Sequence, residues 1–430
     1  MKKLATSHPG FKADLAALLN RPQGEPGLGQ IVREIIERVR AQGDAALLDY
    51  TARFDKQTLT AETLRVAPDE IADATARTPA PLREALALAA ERIERFHRAQ
   101  LPQDVELTDA LGVRMGMRWQ KLDAVGLYVP GGKAAYPSSV LMNAIPAKVA
   151  GVERIAMVVP APGGVLNAHV LAAAQAAGIT EIYRIGGAQA VAALAYGTAS
   201  IKRVDRIVGP GNAYVAEAKR QVFGQVGIDS IAGPSEVLII ADSGCDPVQL
   251  AYDLLAQAEH DEDAQSILVT TDATLAQAVE QAVETLLTTL PRREIAAASW
   301  QRHGAMILVR DWDEAAVIAN EVAPEHLQLM LATPEPVFSQ IRHAGAVFLG
   351  RHTCEAMGDY IIGPNHVLPT SGTARFASGL SVYDFMKRTT YAQLPRTALA
   401  QLGPHAITLA NAEGLTAHAG SIAHGLHTHG

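Results

Sequence analysis

The first hundred residues carry apolar positions at helical spacing. Ile31, Ile35 and Val39 recur every four residues, so they share one face of a predicted helix. Gly43 is placed to end that helix, and Asp44 is placed to cap the next one. A later stretch follows the same rhythm with Leu82, Ala85, Ala89, Ile93 and Phe96. The sequence therefore predicts that the chain begins with helices.

The pattern changes after this helical start. Residues 105–119 predict a β-hairpin that turns near Asp109 and Gly112. From residue 123 onward, short apolar runs alternate with alanine-rich helical stretches, which is typical of parallel sheets covered on both faces. The runs of the first series are AVGLYVP, RIAMVVP, EIYRIGG and VDRIVGP, and those of the second are SEVLIIAD, SILVTT, AMILVR, LQLML and GAVFLG. The segment GQVGIDSIAGPS separates the two series, and the chain returns to a helical pattern after about Lys387.

Length, composition and charge limit the class of protein. A chain of 430 residues is long enough for two domains, and 48% hydrophobic with 19% charged residues is typical of a globular protein. The net charge of −8, without a basic stripe, argues against nucleic-acid binding. No apolar run approaches the roughly 18 residues of a membrane span, and no secretory signal is expected. Cys245 and Cys354 are the two cysteines, and neither lies in a CxxC pair, which favours a reduced, cytoplasmic protein.

Three glycine-rich junctions follow predicted strands of the first series. Such junctions are potential ligand sites, because strand ends and helix starts converge there. They are YVPGGKAAYPSS (128–139), IGGAQA (185–190) and GPGNA (209–213). None fits GxGxxG, and a single turn of this kind is usually needed only for chain reversal. Three of them in one sheet favour a dinucleotide or a phosphorylated ligand.

Two pairs of polar residues are candidates for chemistry. Gln257 and His260 are three residues apart, so on a helix they would point at the same object, whether a metal ion, a substrate or only water. Glu325 and His326 are adjacent before a predicted strand, and a carboxylate beside an imidazole can divide water activation from proton transfer. Each pair taken alone is more often structural.

The segment 355–385 is rich in Gly, Pro, Ser and Thr, and it carries Asp359 and His366. Loops of this length in a compact domain tend to be functional. Near the C-terminus, NAEGLTAHAG adds Glu413 and His418. Imidazoles, a carboxylate and an amide oxygen would suit zinc, manganese or cobalt better than calcium. Sequence spacing does not show that these residues converge.

Several longer segments, taken together, resemble the histidinol dehydrogenase family. IDSIAGPSEVLIIADSGCDPVQLAYDLLAQAEH (228–260) is similar to the signature segment of that family. The resemblance covers nearly the whole chain in one collinear order. The other matching segments are GLYVPGG, GGAQAVAALAYGT, GPGNAYVAEAKRQV, APEHLQL, GPNHVLPTSGTARFASGLSVYDF and EGLTAHAGSI.

The resemblance implies both a fold and an activity. The expected fold is α/β, with two incomplete Rossmann-like domains that have parallel sheets, plus small N- and C-terminal helical appendages. The expected activity is the zinc-dependent oxidation of L-histidinol through L-histidinal to L-histidine with two NAD, in a homodimer whose active sites are shared between subunits. The implied division is an N-terminal appendage (1–25), a discontinuous first Rossmann-like domain (26–122 and 231–387), a second one (123–230) and a C-terminal dimerisation arm (388–430).

The resemblance also implies roles for individual residues, with Glu325 and His326 as the catalytic pair. The implied zinc ligands are Gln257, His260, Asp359 and, from the arm of the partner subunit, His418. The implied substrate contacts are Ser235, Gln257, His260, His326, Asp359, His366, Glu413 and His418. The implied NAD contacts, one from each glycine-rich junction, are Tyr128, Gln189 and Asn212.

Four other functions are less consistent with the sequence. A zinc hydrolase would make no use of the three glycine-rich junctions. A dehydrogenase for another small alcohol is the stronger alternative, but Glu413, His418 and His366 favour histidinol. Aldehyde oxidation at Cys354 lacks a recognised base partner. A non-catalytic NAD-binding protein would not need Glu325 and His326.

Overall fold

The computed structural model describes residues 1–20, 27–131 and 136–428. The chain divides into two compact units, of which the first comprises Met1–Gln100 and Asp123–Phe385. The second comprises Leu101–Leu122 and Met386–Gly430. The strands are β1 (Lys2–Ala5), β2 (Val105–Thr108), β3 (Arg114–Lys121), β4 (Ala124–Tyr128), β5 (Arg154–Val158), β6 (Glu181–Tyr183), β7 (Arg206–Val208), β8 (Gly227–Ile228), β9 (Glu236–Ala241), β10 (Gln265–Thr270), β11 (Ala305–Leu308), β12 (His326–Met330), β13 (Ala346–Leu349) and β14 (Met386–Gln393). The helices are α1 (Phe11–Leu19), α2 (Leu28–Gln42), α3 (Asp44–Phe54), α4 (Pro68–Arg77), α5 (Ala80–Arg98), α6 (Pro137–Val149), α7 (Ala168–Ala177), α8 (Gly187–Tyr196), α9 (Ala213–Val222), α10 (Pro247–Ala258), α11 (Ala273–Leu286), α12 (Arg293–His303), α13 (Trp312–Val322), α14 (Glu335–Phe338), α15 (Glu355–Tyr360), α16 (Arg396–Ala412) and α17 (Thr416–Thr428).

The first unit contains two parallel sheets that correspond to the two predicted βα series. The five-stranded sheet has the order β6-β5-β4-β7-β8, and the six-stranded sheet has the order β1-β11-β10-β9-β12-β13. Counted from the first strand of each series, both contain the order 3-2-1-4-5, which is that of a Rossmann-like sheet. All nine predicted strands are present, so the predicted parallel α/β fold is confirmed.

The central strands of the six-stranded sheet, β9, β10 and β12, are buried on both faces. Every residue of β9 and β10 is buried, which explains why their sequences are nearly continuous apolar runs. Alternate residues of β9 enter different cores, since Leu238 and Ile240 pack in one apolar cluster while Val237 and Ile239 pack in another. The two helical layers therefore hold this sheet from opposite sides.

The N-terminal segment differs in part from the predicted helical start. β1 pairs in parallel with β11 at the edge of the six-stranded sheet, which the sequence analysis did not predict. Leu15 and Leu18 of α1 pack in a core cluster with residues of that sheet. Residues 21–25 of the predicted N-terminal appendage, and residue 26 that follows it, lie outside the described residues.

The early helices form where they were predicted, but their buried stripes are shifted. In α2 the core face includes Val32, Ile35 and Val39, whereas Ile31 is exposed. These core residues share a cluster with the helices and strands of the five-stranded sheet. In α5 the buried stripe runs through Leu86, Ala89, Ile93 and His97, and the predicted positions Ala85 and Phe96 are exposed. The predicted domain boundaries remain a prediction.

The second unit combines a three-stranded antiparallel sheet, ordered β14-β3-β2, with the helix pair α16 and α17. The predicted hairpin is confirmed, because β2 and β3 are antiparallel and the Asp109 carboxylate accepts hydrogen bonds from the backbone N–H groups of Leu111 and Val113 at 2.9 Å each. β14 lies where a helical pattern was expected to begin. Within the described ranges, no helix combines the length and the apolar character that a membrane crossing requires.

Candidate active site

Glu325 and His326 lie where the chain enters β12. α13 ends at Val322, the next residue, Ala323, turns the chain with a φ of 48°, and β12 then begins at His326. Neighbouring β9 holds both side chains through the backbone of Glu236. Its N–H donates to Glu325 Oε2 at 2.9 Å, and its carbonyl oxygen lies 3.1 Å from His326 Nδ1. The catalytic pair predicted from the sequence is therefore fixed at the amino ends of two adjacent parallel strands.

The other ring nitrogen of His326 faces acidic residues of α15. His326 Nε2 lies 3.4 Å from Glu355 Oε1 and 3.9 Å from Asp359 Oδ1. Both His326 Nε2 and Glu355 Oε1 are buried without a hydrogen-bond partner among the residues described. Since Nδ1 faces a carbonyl oxygen, which only accepts, the proton of a neutral His326 sits on Nδ1 and Nε2 carries a free electron pair.

Burial sets the protonation of the site. It lowers the pKa of His326 to about 4, against the opposing effect of Asp359, so the imidazole is neutral at neutral pH. Burial also raises the pKa of Glu325 well above its ordinary range, and that of Glu355 in the same direction, with Asp359 adding to the rise. The neutral imidazole is the state that proton abstraction requires, whereas a carboxyl of raised pKa retains its proton to higher pH.

Gln257 and His260 approach the site from the end of α10. Gln257 lies in the last turn of that helix, and its Oε1 is buried without a hydrogen-bond partner in the described part of the chain. His260 follows the helix in a turn and is only partly buried. Besides burial, the electrostatic effect of His260 lowers the pKa of both His326 and His366. Of the predicted pair, only Gln257 lies within the helix.

His366 lies beside Asp359. Its Nδ1 is 2.9 Å from the Asp359 carbonyl oxygen and 3.7 Å from Asp359 Oδ1, and its Nε2 is 3.4 Å from Ser139 Oγ on α6. Arg92 of α5 and Met142 of α6 hold the segment 359–366 in place. Arg92 donates to the carbonyl oxygens of Ile361 and Ile362 at 2.7 and 3.1 Å, and the Met142 carbonyl accepts a 2.6 Å hydrogen bond from Asn365.

The remaining predicted substrate residues lie at two places. Ser235 immediately precedes β9, is partly buried, and accepts a backbone hydrogen bond from Gln265 at 2.9 Å. Glu413 and His418 belong to the second unit, at the end of α16 and in the first turns of α17, and both are exposed on it.

Two residues of the site were missed in the sequence analysis. Glu355 precedes Asp359 by four residues, and this spacing on a helix puts both carboxylates on one face, which could have identified it. Glu236 holds the catalytic pair through its backbone, so its side chain gave no signal.

The predicted NAD contacts lie at the carboxyl ends of the five-stranded sheet. Tyr128 ends β4, is buried, and its hydroxyl accepts a 3.0 Å hydrogen bond from the N–H of Gly187. Gln189 lies in the first turn of α8, and neither amide atom of its buried side chain has a hydrogen-bond partner in the described ranges. Asn212 caps α9 by accepting from the N–H of Val215 at 3.1 Å. Residues 132–135 of the first glycine-rich junction lie outside the described residues.

One group of side chains could hold a metal ion such as zinc: His326, Glu355 and Asp359 offer ligand atoms that all lie within 4.8 Å of one another. On α10, the buried Gln257 Oε1 is a further oxygen without a hydrogen-bond partner in the described residues. Asp359 is the only predicted zinc ligand in this group of three side chains. Buried polar atoms without partners are costly unless a ligand or water satisfies them.

Comparisons with known proteins identify the family to which the chain is similar. The family model for histidinol dehydrogenase matches residues 20–425. The chain is 63% identical over 423 residues to a histidinol dehydrogenase of Gluconobacter oxydans (strain 621H) and 59% identical over 423 residues to one of Rhodospirillum rubrum. Each alignment covers 98% of this chain and 98% of the relative. The crystal structure of histidinol dehydrogenase from Elizabethkingia anophelis matches with a TM-score of 0.93 at 38% identity, covering 98% of this chain and 97% of that one.

These matches extend over nearly the full length, as the sequence resemblance did. The family is NAD-dependent and binds zinc, and the His/Glu/Asp group is consistent with a metal site. The chain therefore belongs to the histidinol dehydrogenase family, and it oxidises histidinol to histidine in histidine biosynthesis.

Proposed function

We propose that both oxidations take place at the buried site around His326, with His326 as the general base and Glu325 activating water in the second oxidation. The observation that carries this assignment is the asymmetry of the His326 ring. Nδ1 is held by the Glu236 carbonyl, whereas Nε2 is buried and has no hydrogen-bond partner among the described residues. An oriented, neutral imidazole with an unused electron pair is suited to removing a proton from a substrate hydroxyl.

The residues divide the work as follows. In the first oxidation, His326 Nε2 takes the proton of the histidinol hydroxyl as the hydride leaves and the aldehyde forms. The aldehyde is then hydrated: ionised Glu325 takes a proton from the attacking water, and His326 returns the proton that it gained to the aldehyde oxygen, which makes the imidazole neutral again. In the second oxidation, His326 takes the hydroxyl proton of the hydrate as a second hydride leaves, and the carboxylic acid of histidine results. NAD, when bound, is the hydride acceptor in both oxidations.

We assign zinc to Gln257, His260 and Asp359, with His418 of the partner subunit completing the set. Zinc bound there would supply a Lewis-acidic anchor for the imidazole and amino nitrogens of the substrate. Support comes from the unpartnered amide oxygen of Gln257 and from the carboxylate cluster that includes Asp359. The substrate contacts are proposed to be Ser235, Gln257, His260, His326, Asp359, His366, Glu413 and His418.

NAD is proposed to contact Tyr128, Gln189 and Asn212. Tyr128 and Asn212 lie beside the carboxyl ends of β4 and β7. The strand order of the five-stranded sheet reverses between these two strands. In sheets of this kind, nucleotides usually bind at the point of reversal. The unpartnered amide of buried Gln189 supports a polar ligand there.

A homodimer with shared active sites is part of the proposal. Glu413 and His418 are exposed on the second unit, so both are accessible to a second copy of the chain. We also propose that the enzyme works in the cytoplasm, in keeping with its two free cysteines, Cys245 and Cys354.

The deciding experiment mixes purified protein with zinc, NAD and L-histidinol and follows the absorbance of the reduced cofactor. Two equivalents of reduced cofactor per histidinol, without release of the aldehyde, support the proposal. One equivalent with free aldehyde would contradict the assignment of the second oxidation to the same site.

A further inference from the structure

The turn between β5 and α7 lacks a residue that nucleotide-binding sheets of this order usually have. In such sheets a carboxylate after the second strand binds the hydroxyl groups of the adenosine ribose. β5 is the second strand of its series, and residues 159–168 read VPAPGGVLNA, without an acidic residue. If NAD binds as proposed above, a carboxylate that accepts hydrogen bonds from its adenosine ribose has to come from another segment of the chain.

Asp55 reaches this turn from the end of α3. Its backbone carbonyl accepts a 2.8 Å hydrogen bond from the N–H of Gly163, in the middle of the turn. Gln57 lies on the same turn, because a Cβ atom added at Gly164 would be 3.6 Å from Gln57 Nε2. The segment 55–57 therefore packs on the turn in which the acidic residue is missing.

The side chains of this segment carry unused acceptors. Asp55 Oδ2 and Gln57 Oε1 are both buried, and neither has a hydrogen-bond partner in the part of the chain described. Lys56 between them has a φ of 54°, a left-handed conformation that a non-glycine residue adopts at a cost. Two buried acceptors without donors are what a ligand with two neighbouring hydroxyl groups would satisfy.

Asp55 is also close to the proposed cofactor site. Burial raises the pKa of Tyr128 to about 12, and the negative charge of Asp55 adds to that rise. Tyr128 is the proposed NAD contact at the end of β4, the strand that pairs with β5. The turn on which Asp55 packs follows β5, and Tyr128 is the register partner of Val158 at the end of β5, so Asp55 and Tyr128 lie at the same carboxyl end of the five-stranded sheet.

We infer that Asp55, assisted by Gln57, accepts hydrogen bonds from the adenosine ribose hydroxyls of NAD and selects NAD over NADP. The inference rests on the proposed NAD site. The 2′-phosphate of NADP has lost the donor hydroxyl and would bring negative charge against a carboxylate, so both changes disfavour it.

The test compares cofactors on the holoenzyme and on the Asp55→Asn variant. With wild-type enzyme, an NAD analogue carrying 2′-deoxyadenosine should lose about tenfold in kcat/KM, the size expected for one hydrogen bond to a charged group. Asp55→Asn should lower kcat/KM for NAD roughly 10- to 100-fold through KM, raise it for NADP, and leave the KM for histidinol and kcat at saturating NAD unchanged. In the variant the penalty for the deoxy analogue should disappear.

Asp49→Asn is the matched control, because Asp49 is on the same helix but pairs with Arg38 at the surface. It should leave the NAD parameters unchanged. The inference is overturned if wild-type enzyme has the same kcat/KM for the deoxy analogue as for NAD. This measurement does not depend on whether a variant folds. Tyr128→Phe separates the two proposals: an altered KM for NAD in Tyr128→Phe but not in Asp55→Asn overturns only the ribose assignment. If neither variant changes it, the proposed NAD site itself is wrong.

Discussion

Glu355 Oε1 lies 3.4 Å from His326 Nε2, at the ring nitrogen opposite the one that Glu236 holds. Burial raises the pKa of Glu355 to about 9, so its carboxyl holds its proton at neutral pH. A positive charge that forms on His326 favours loss of that proton, and the carboxylate that results stabilises the imidazolium. This neighbour, which no pattern in the sequence analysis identified, belongs to the predicted chemistry.

Glu355→Gln should lower kcat for histidinol oxidation about 10- to 100-fold, because the neutral amide no longer stabilises the imidazolium. The measurement is steady-state kinetics together with the zinc content of the purified variant. Retained zinc with a lowered kcat supports the role beside His326, whereas loss of zinc identifies Glu355 as a metal ligand. Glu335→Gln, which changes an exposed carboxylate on α14, is the control. A wild-type kcat in Glu355→Gln would contradict the prediction.

The two members of the catalytic pair should affect different oxidations. His326→Asn should lower the rate from histidinol by about 100- to 10,000-fold, the usual contribution of a general base. Glu325→Gln should slow the oxidation of added histidinal more than that of histidinol, since water activation is needed only there. Stopped-flow measurement of reduced cofactor with each substrate tests this difference. Equal slowing of both substrates in Glu325→Gln would refute the division of roles.

Zinc binding should depend on both residues at the end of α10. Gln257→Ala and His260→Asn should each lower zinc affinity at least about tenfold, because each removes one donor from the set. Zinc per subunit is measured after dialysis against a graded chelator, and excess zinc should restore part of the activity. Gln277→Ala, on the exposed face of α11, is the control. Full zinc retention in both variants would exclude them as ligands.

Lys219 and Asp229 form a buried ion pair beneath the third glycine-rich junction. Their side chains are 2% and 5% exposed, and both also bind the backbone of Gly209, at 3.0 and 2.7 Å. Lys219→Met should destabilise the protein by about 3–5 kcal/mol, because Asp229 would stay buried without its cation. Urea unfolding measures the change.

The Lys219→Met/Asp229→Asn double variant should lose less stability than Lys219→Met alone. Arg98→Met, which breaks the exposed pair with Glu94, should cost no more than about 1 kcal/mol. A cost for Lys219→Met as small as that of Arg98→Met would show that the buried pair is not stabilising.

His97 should make stability depend on pH. It is fully buried, and burial lowers its pKa below the ordinary 6.5. Between that lowered pKa and 6.5 the unfolded chain binds a proton that the folded chain does not. Stability is therefore complete above pH 6.5 and is lost as the pH falls, by up to about 1.4 kcal/mol per pH unit.

Thermal unfolding of wild type and His97→Gln at pH 7.5 and 5.5 tests this contribution. The midpoint of wild type should fall further than that of the variant, because only wild type loses the His97 contribution. His8→Gln, an exposed histidine, should behave as wild type. Equal falls in wild type and His97→Gln would contradict the prediction.

The fold could be predicted where local pattern and tertiary packing agree. The buried parallel strands are apolar runs between turn residues, so each was visible in the sequence. β1 and β14 were not, because each is short of apolar residues and depends on a distant partner, β11 or β3. Helix existence was predictable in α2, but Ile31 is exposed because the core lies to one side of the predicted stripe.

The site could be predicted only where side-chain identity carries the chemistry. His326 and Asp359 were found because the family resemblance marks them. Glu236 acts through its backbone, so no side-chain pattern could reveal it. The convergence of α10, β12 and α15 depends on strand order, which sequence spacing does not contain.

The proposed sites lie at opposite strand ends of the two parallel sheets, amino ends in one and carboxyl ends in the other, and the helix termini there differ in charge. At the amino ends of β9 and β12, helices α10 and α13 present their C-termini, whose partial negative charge attracts cations such as a metal ion or a substrate ammonium group. At the carboxyl ends of the five-stranded sheet, α8 and α9 present their N-termini, whose partial positive charge attracts the pyrophosphate of a dinucleotide. The same strand order thus presents helix C-termini that attract cations at the amino ends of one sheet, and helix N-termini that attract anions at the carboxyl ends of the other.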